Sequence, residues 1–380
     1  MGDVCDTNIG TLSSKEDCLI DYVDISSVDN QKKEISSYKV FKSSEAPSRA
    51  RQLIQKNDVL VSTVRPNLNA VAMVTTETPN VMVASTGFCV LRSKEALDNN
   101  YLFHFTKSKT FINSLVKAAK GASYPAVSNA DVYGTYIPLP PVKTQQRIAN
   151  ELGAVYVLLQ LRKRQLEELD QLIKSVFYEM FGDPVTNEKG WTVHVLGELI
   201  TNLRYGTSTP PIFSDAGYCF IRATNIKLGR IISRDMRFID ENEATKLEKC
   251  KLHYGDLIIV RSGVNTGDSC VVLEEYAGHY AGYDIIVSPD FTAINPVFIN
   301  ELINTSYMDR IIKPLTRRAA QPHLNAEQVK NLPIITPPLS LQEKFAEIVD
   351  QIESQKSLVK QAIDETQRLF DSLMSKYFDD

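Results

Sequence analysis

Between residues 142 and 182 the chain contains no proline, and Leu152, Val155, Leu159, Arg162, Leu166, Leu169, Ile173, Val176 and Met180 follow one another at alternating steps of three and four. Only Arg162 is polar in this series, which has the heptad spacing of a coiled coil. Gly153 is the sole interior glycine, and Gly182-Asp183-Pro184 adds a left-handed cap residue and a breaker. The spacing therefore predicts one helix over 142–182. About 40 residues at 1.5 Å each make a rod of roughly 60 Å. An apolar stripe of that length needs a partner, and the stretch from 339 to 377, also free of glycine and proline, predicts a second long helix over 339–380.

The segments between are written differently. Residues 22–28 and 58–64 alternate at period two, as strands do, whereas 100–120 carries Leu102, Phe103, Phe111, Leu115 and Val116 at helical spacing. After the first long helix the same order returns: strand-like runs at 219–226 and 255–261, then a helical 297–318. Both segments, 1–141 and 183–338, read as α+β domains.

They are one unit written twice. Ile137-Pro-Leu-Pro-Pro141 matches Ile334-Ile-Thr-Pro-Pro338, with Gln145 against Gln342 and Ala149 against Ala346, all 197 residues apart. Upstream, Asp58 matches Asp256 and residues 23–28 match 221–226 at an offset of 198. The starts are also in phase, Met1-Gly-Asp-Val4 resembling Leu196-Gly-Glu-Leu199. The repeat carries the first seam onto Val349, Ile352, Lys356, Val359, Ile363, Thr366, Phe370, Leu373 and Tyr377. Antiparallel pairing with Leu152 facing Tyr377 sets Arg162 opposite Thr366 and Lys356 opposite Ile173. These polar positions then act as register markers whose long cationic side chains snorkel out of the seam. Parallel pairing is the alternative, and would set the two globules side by side. The chain is thus expected to be α+β, with two repeated domains on two long helices that form an antiparallel coiled coil.

A net charge of −4 excludes a globally basic nucleic-acid coat and leaves local patches or a shared interface. No segment reaches the ~20 apolar residues that span a bilayer, and no secretory leader pattern opens the chain, so a cytoplasmic location with no membrane partner is expected. Six scattered cysteines without a C-x-x-C spacing, and five separated histidines, point to buried reduced thiols, with no metal expected.

Catalytic signatures fail on inspection. Asn295-Pro-Val-Phe298 lacks the second proline of an amino-methyltransferase loop and has no glycine-rich cofactor loop before it, so it reads as a helix start. Residues 263–269 resemble a phosphate loop but have no lysine before Ser269, and read as a turn between strands. No catalytic residue and no cofactor is expected.

The doubled proline motif followed by a glutamine and a long helix, the Phe177-Tyr-Glu-Met-Phe-Gly-Asp-Pro184 end of the first helix, and Gly255-Asp-Leu-Ile-Ile-Val-Arg-Ser-Gly263 within the globule together resemble the DNA-specificity subunit of type I restriction-modification systems. The resemblance covers nearly the whole chain. It implies that 1–141 and 183–338 are target recognition domains, each reading half of a split double-stranded DNA site, and that the helices fix the gap between halves. It also implies two methyltransferase subunits as partners, which carry the S-adenosylmethionine chemistry, and a nuclease and translocase subunit as a further member. Nothing precedes Met1 to match Trp191, so the first strand of the family pattern is expected to be trimmed.

Within that frame, the doubled placement of basic residues marks DNA contacts. Lys107, Lys109, Lys117 and Lys120 lead into a polar loop with Ser123 and Tyr124; Arg310, Lys313, Arg317 and Arg318 lead into another with Gln321 and His323. The cations suit phosphates and the polar side chains suit base edges. The turns after the central strands supply Arg65, Asn67 and Asn69 in the first domain and Arg261 and Ser262 in the second; Arg204, Tyr205 and Thr207 precede the second domain's strands. Arginine reads guanine and asparagine adenine, so Arg65, Asn67, Arg222, Asn225 and Arg261 rank highest for readout. These loops differ between halves while the strands match, which predicts an asymmetric target. The competing readings are a scaffold whose doubled domains bind only proteins, and a fused enzyme.

Overall fold

The computed structural model describes residues 1–13, 18–121, 123–316 and 322–379. The chain divides into two compact units, residues 1–163 with 361–380, and residues 164–360.

In the first unit a four-stranded antiparallel sheet runs Cys5–Asp6, Phe88–Ser93, Val59–Ser62, Val71–Met73. The second unit repeats the order with Ile200–Tyr205, Ile285–Pro289, Leu257–Ile259 and Ser269–Val271. Residues 59–61 and Leu257–Ile259 are uninterrupted apolar runs, buried throughout. A second sheet accompanies each. In the first unit it is Lys39–Lys42, Leu19–Val23, Val81–Ser85, Ala50–Leu53; in the second, Arg237–Ile239, Tyr218–Ile221, Tyr280–Ala281. Each contains one parallel pair, Leu19–Val23 with Val81–Ser85 and Tyr218–Ile221 with Tyr280–Ala281.

The strands are shorter than alternation predicts. Leu19–Val23 stops because Asp24 caps a 3₁₀ turn over Ile25–Ser27, its Oδ1 accepting from Ser27 N at 3.1 Å. Tyr218–Ile221 stops likewise before a turn over Ala223–Asn225. The helical stretches are also broken, at corresponding places. In the first unit Asn99–Phe105 and Lys109–Ala118 are separate helices, the second capped by Ser108 Oγ on Phe111 N. In the second, Pro296–Leu302 runs into the wide-turn stretch Ile303–Ile312, and Thr305, 197 residues after Ser108, leaves helical geometry at φ −85°, ψ −159°.

The long helices are Val142–Phe181 and Leu339–Met374, the latter continued by Ser375–Asp379. They pair antiparallel within each unit. In the first, Arg162 Nη1 bonds Thr366 Oγ1 and Ala362 O, and Tyr377 Oη donates to Glu151 Oε2 at 2.7 Å. In the second, Lys356 Nζ lies 2.6 Å from Asp170 Oδ1. Two details depart from expectation. The cations do not snorkel: Lys356 is buried and reaches a turn back from Ile173 to Asp170, bonding Glu353 at 2.6 Å as well, because paired carboxylates make its burial tolerable. The seam also drifts by one residue toward each helix end. Phe177 and Phe181 are fully buried where Val176 and Met180 were expected, and Met374 and Phe378 take the places of Leu373 and Tyr377. A straight helix turns away from a strict heptad by ~20° per repeat, and both copies drift alike.

These end residues anchor each globule. Phe177 and Phe181 meet Phe298 and Phe345 with ring centroids 4.8–5.6 Å apart in the second unit. In the first, Phe378 meets Tyr101 at 5.1 Å and Phe105 at 5.7 Å within a core that includes Ile148 and Met374. The repeated glutamines have a related task. Gln145, fully buried, accepts from Asp98 N at 2.8 Å and donates to Ala96 O and Pro140 O. Gln342, equally buried, accepts from Asn295 N at 2.9 Å and donates to Pro337 O. Each ties the cap of a globular helix to the start of the long helix. At the starts of the two globules, Met1 N donates to Thr135 O, as Leu196 N does to Leu332 O. Val193–Val195 adds a strand against Pro333–Ile335 in the second unit.

Candidate nucleic-acid interface

In each unit the end of a central strand is zipped to the loop after the helices. Val64 bridges Ala126 in the first unit and Ser262 bridges His323 in the second. The two bridges lie 198 and 197 residues apart, so the repeat builds the same platform twice.

On the first platform Arg65 is exposed, in left-handed backbone (φ 50°), with its guanidinium 4.6 Å from the Tyr124 ring centroid. Its amide donates to Pro125 O at 2.7 Å. Pro66–Leu68 forms a single turn that packs against Lys109–Ala118 and leaves Asn67 exposed. Asn69 (φ 46°) offers its carbonyl to Lys33 Nζ. Gly121 is required at φ +100°, where a Cβ would stand 2.9 Å from Tyr124 O; the turn leaves Lys120, Ser123 and Tyr124 exposed. Lys117, in the last turn of its helix, is exposed too. Lys107 differs from the expected basic face. It is turned inward over the Phe103 and Tyr156 rings, 4.1 and 4.9 Å from their centroids, and burial pushes its pKa down to about 7.

The second platform is built around Arg261. Its guanidinium carbon lies 4.5 Å from the Tyr205 centroid and 4.6 Å from that of Tyr283. Its Nε donates to His323 Nε2 at 3.3 Å, and its amide to Asp284 Oδ1 at 3.1 Å. Both tyrosines reach Arg261 because Tyr205-Gly206 and Gly282-Tyr283 cross closely: a Cβ on Gly206 would fall 1.5 Å from Gly282 O. Beside them opens a cleft of about 490 Å³, lined by Thr207, Phe213, Arg222, Ser262, Tyr283 and Asp284 among others. Burial pushes the Asp284 carboxyl up to about 6, against the pull of Arg261's amide and charge. Tyr283 and Asp284 escaped the sequence reading; the mirrored Tyr-Gly and Gly-Tyr pairs are the signal that marks them.

Six other candidates have structural partners. Arg204 is held at 2.7 Å by buried Asp256 and also donates to Ser288 Oγ and Lys251 O. This matches the pair of Arg92 with buried Asp58 in the first unit, also at 2.7 Å. Asn225 is fully buried, its amide bonding Arg222 N, Ile232 O and Arg234 O. Arg222 gives one donor to Asp235 O, and its Nε is buried with no partner among the described residues. Thr207 closes a local turn on Thr209. Arg310 pairs with Asp183 at 2.9 Å and Lys313 with Asp309. Arg317, Arg318 and Gln321 lie outside the described residues.

Asn295 caps Pro296–Leu302 through Val297 N and Phe298 N, and residues 263–267 turn between Leu257–Ile259 and Ser269–Val271. Four cysteines are buried and Cys18 and Cys219 half-buried, all as free thiols. Among the described residues no cluster of three or more His, Cys, Asp or Glu is placed to hold a metal, and no helix is long and apolar enough to cross a membrane.

The α+β scaffold is thus duplicated, with long helices paired antiparallel within each unit and a different arginine-aromatic surface on each copy. The chain belongs to the type I restriction modification DNA specificity domain family, which matches it twice, over residues 1–171 and 188–368. It is similar to the specificity subunit of the type I restriction enzyme EcoKI from Escherichia coli K12, at 23% identity over 313 residues, covering 77% of this chain and 67% of that one. It is also similar to the MjaIX specificity subunit of Methanocaldococcus jannaschii, at 25% identity over 292 residues, covering 72% and 66%. The matched stretch thus spans about two thirds of these relatives' length. A solved chain from work on complex assembly and conformational transition of the type I R-M system superposes with TM-score 0.60 at 26% identity, covering 99% of this chain and 96% of that one. The S subunit of a type I system from M. genitalium shares the fold, with TM-score 0.61 at 15% identity over 100% and 94%.

Proposed function

We propose that this chain is the non-catalytic, sequence-reading subunit of a type I restriction-modification complex, and that its two units read the two halves of a split, asymmetric site in double-stranded DNA. Residues 1–141 and 183–338 are the recognition domains, and the helices over 142–182 and 339–380 set the spacing between half-sites. The observation that carries this is the platform built twice and furnished differently, Arg65 over Tyr124 in one copy and Arg261 between Tyr205 and Tyr283 in the other. A common scaffold with unlike arginine loops suits two unlike half-sites. Arg65, Asn67, Lys117, Lys120, Ser123 and Tyr124 face the first half; Arg261, His323, Ser262, Tyr205 and Arg222 serve the second.

Docking of two methyltransferase subunits is supported by a second doubling. Leu161 and Leu358, and Leu172 and Leu369, stand 197 residues apart, and all four are exposed by 44–65% on the long helices. Each unit carries one leucine from each helix, which offers two equivalent apolar patches to two copies of one partner. A nuclease and translocase subunit joins through that assembly, and the complex works in the cytoplasm.

Methylation sequencing tests the reading. DNA from a host expressing this chain with its neighbouring methyltransferase is compared with DNA from a host expressing the methyltransferase alone. Modified bases in one split motif, present only with the chain, are expected; no new modification from an assembled complex refutes it in favour of a protein scaffold.

A further inference from the structure

Among the described residues Arg261 is positioned more completely than the other candidate readers. Its guanidinium lies over two tyrosine rings, those of Tyr205 and Tyr283, and its Nε is engaged by His323. Tyr205 is itself fixed, its hydroxyl accepting from Ala326 N at 2.7 Å at the start of the helix Ala326–Lys330. His323 is fixed by its backbone bridge to Ser262. Because Nε2 of His323 is the acceptor, its proton sits on Nδ1. Two rings and one hydrogen bond thereby hold the group, and the Nη1/Nη2 edge has no hydrogen-bond partner among the described residues. Arg65 has one ring beneath it and a left-handed backbone, and is far less constrained.

A planar two-donor edge fits two acceptors side by side, the geometry of guanine O6 and N7 in the major groove and also of a phosphate. The surroundings separate these. Asp284, 2% exposed, sits under the same residue with Oδ1 on its amide. A phosphate would bring a second anion beside that carboxylate, whereas a base edge is neutral.

We infer that Arg261 reads a guanine in the half-site of the second unit, its Nη1/Nη2 edge donating to O6 and N7, with Tyr205, Tyr283 and His323 as the residues that hold it in that pose. This rests on the DNA-reading function proposed above and narrows it to one base and one edge.

The test uses the assembled complex with its methyltransferase subunits and duplexes carrying the motif found by methylation sequencing. Each guanine is replaced in turn by 7-deazaguanine, which lacks the N7 acceptor, and affinity is read by fluorescence anisotropy. One position should weaken binding about 10-fold with the natural chain. With Arg261→Ala and with Arg261→Lys, the same replacement should have no effect. Lysine keeps the charge and would preserve a phosphate contact, so a Lys variant that binds the motif as the natural chain does overturns the proposal. So does a set of 7-deazaguanine effects that persist unchanged in Arg261→Ala. For His323 as a positioning residue, His323→Ala should blunt the 7-deazaguanine effect and His323→Gln, whose amide oxygen can accept from Nε, should restore it. If the natural complex binds no duplex better than random DNA, the DNA-reading function itself falls, and this assignment falls with it.

Discussion

Replacing Lys107 by methionine should stabilise the first unit. The lysine Nζ has no hydrogen-bond partner among the described residues, and neither has Nδ1 of the neighbouring His104, whose pKa burial pushes down to about 2. Burial brings the Lys107 pKa from an ordinary 10.5 to about 7, with the charge of Lys33 adding to the effect. That difference corresponds to a cost of about 4 kcal/mol at pH 7. The faces of Phe103, Tyr156 and Phe370, at 4.1, 4.9 and 5.9 Å, favour the cation and offset about half of that. Methionine fills similar volume against the same rings without a charge, so the expected gain is about 1–3 kcal/mol. The pH dependence has a defined sign. Folded Lys107 loses its proton near pH 7 while the unfolded chain keeps it to about 10.4, so the unfolded state binds more protons in between and stability rises with pH over that window. Hydrogen exchange of peptides covering 99–118, measured from pH 7 to 9.5, reads the unit directly. The natural chain should gain protection with pH relative to Lys107→Met. A methionine variant that is less protected at pH 7, with the same pH slope as the natural chain, would refute a buried unpaired amine. DNA affinity should be unchanged, since Lys107 does not face the platform.

The single tryptophan, Trp191, lies in the second unit and lets the units be read separately. Gln342→Ala strands Asn295 N and Pro337 O and should lower the stability reported by Trp191 fluorescence in urea by about 2–4 kcal/mol; Gln145→Ala strands three backbone groups and should lower protection only in the first unit. Lys356→Ala leaves Asp170, 40% exposed, without its partner and should cost about 1–2 kcal/mol by the same fluorescence assay, most of it recovered when Lys356 and Asp170 are both made leucine. Asp284→Asn keeps an acceptor for Arg261 N and removes a buried carboxylate. Because the folded carboxyl holds its proton to about pH 6 and the unfolded one only to about 4, natural stability falls as pH rises between these values; the variant should lack that fall and be about 1–2 kcal/mol more stable at pH 7.

The duplication was legible in the chain because proline, glutamine and aspartate recur at a fixed offset, and each recurrence has a physical role. Gln145 and Gln342 fasten helix caps, and the buried Asp58 and Asp256 hold half-buried arginines. The heptads located the helix pair, but a strict repeat could not anticipate the drift onto Phe177 and Phe181, which depends on Phe298 and Phe345 elsewhere in the chain. Strand-end arginines were visible as candidates, yet their environments were not. Arg204 and Arg261 were both candidates in sequence; one meets the buried aspartate just before Leu257–Ile259 and the other two tyrosines that crossing glycines bring together. Only these tertiary contacts tell the two apart.

The central claim is that each unit reads one half of a split site, and a hybrid chain tests it most directly. Residues 183–338 are replaced by the corresponding stretch of a relative, and the methylation pattern of the host is sequenced beside that of the natural chain. One half of the motif should change while the other half and the gap between them stay the same. A hybrid that assembles with the methyltransferase and still modifies the original motif, or alters both halves together, would contradict the account.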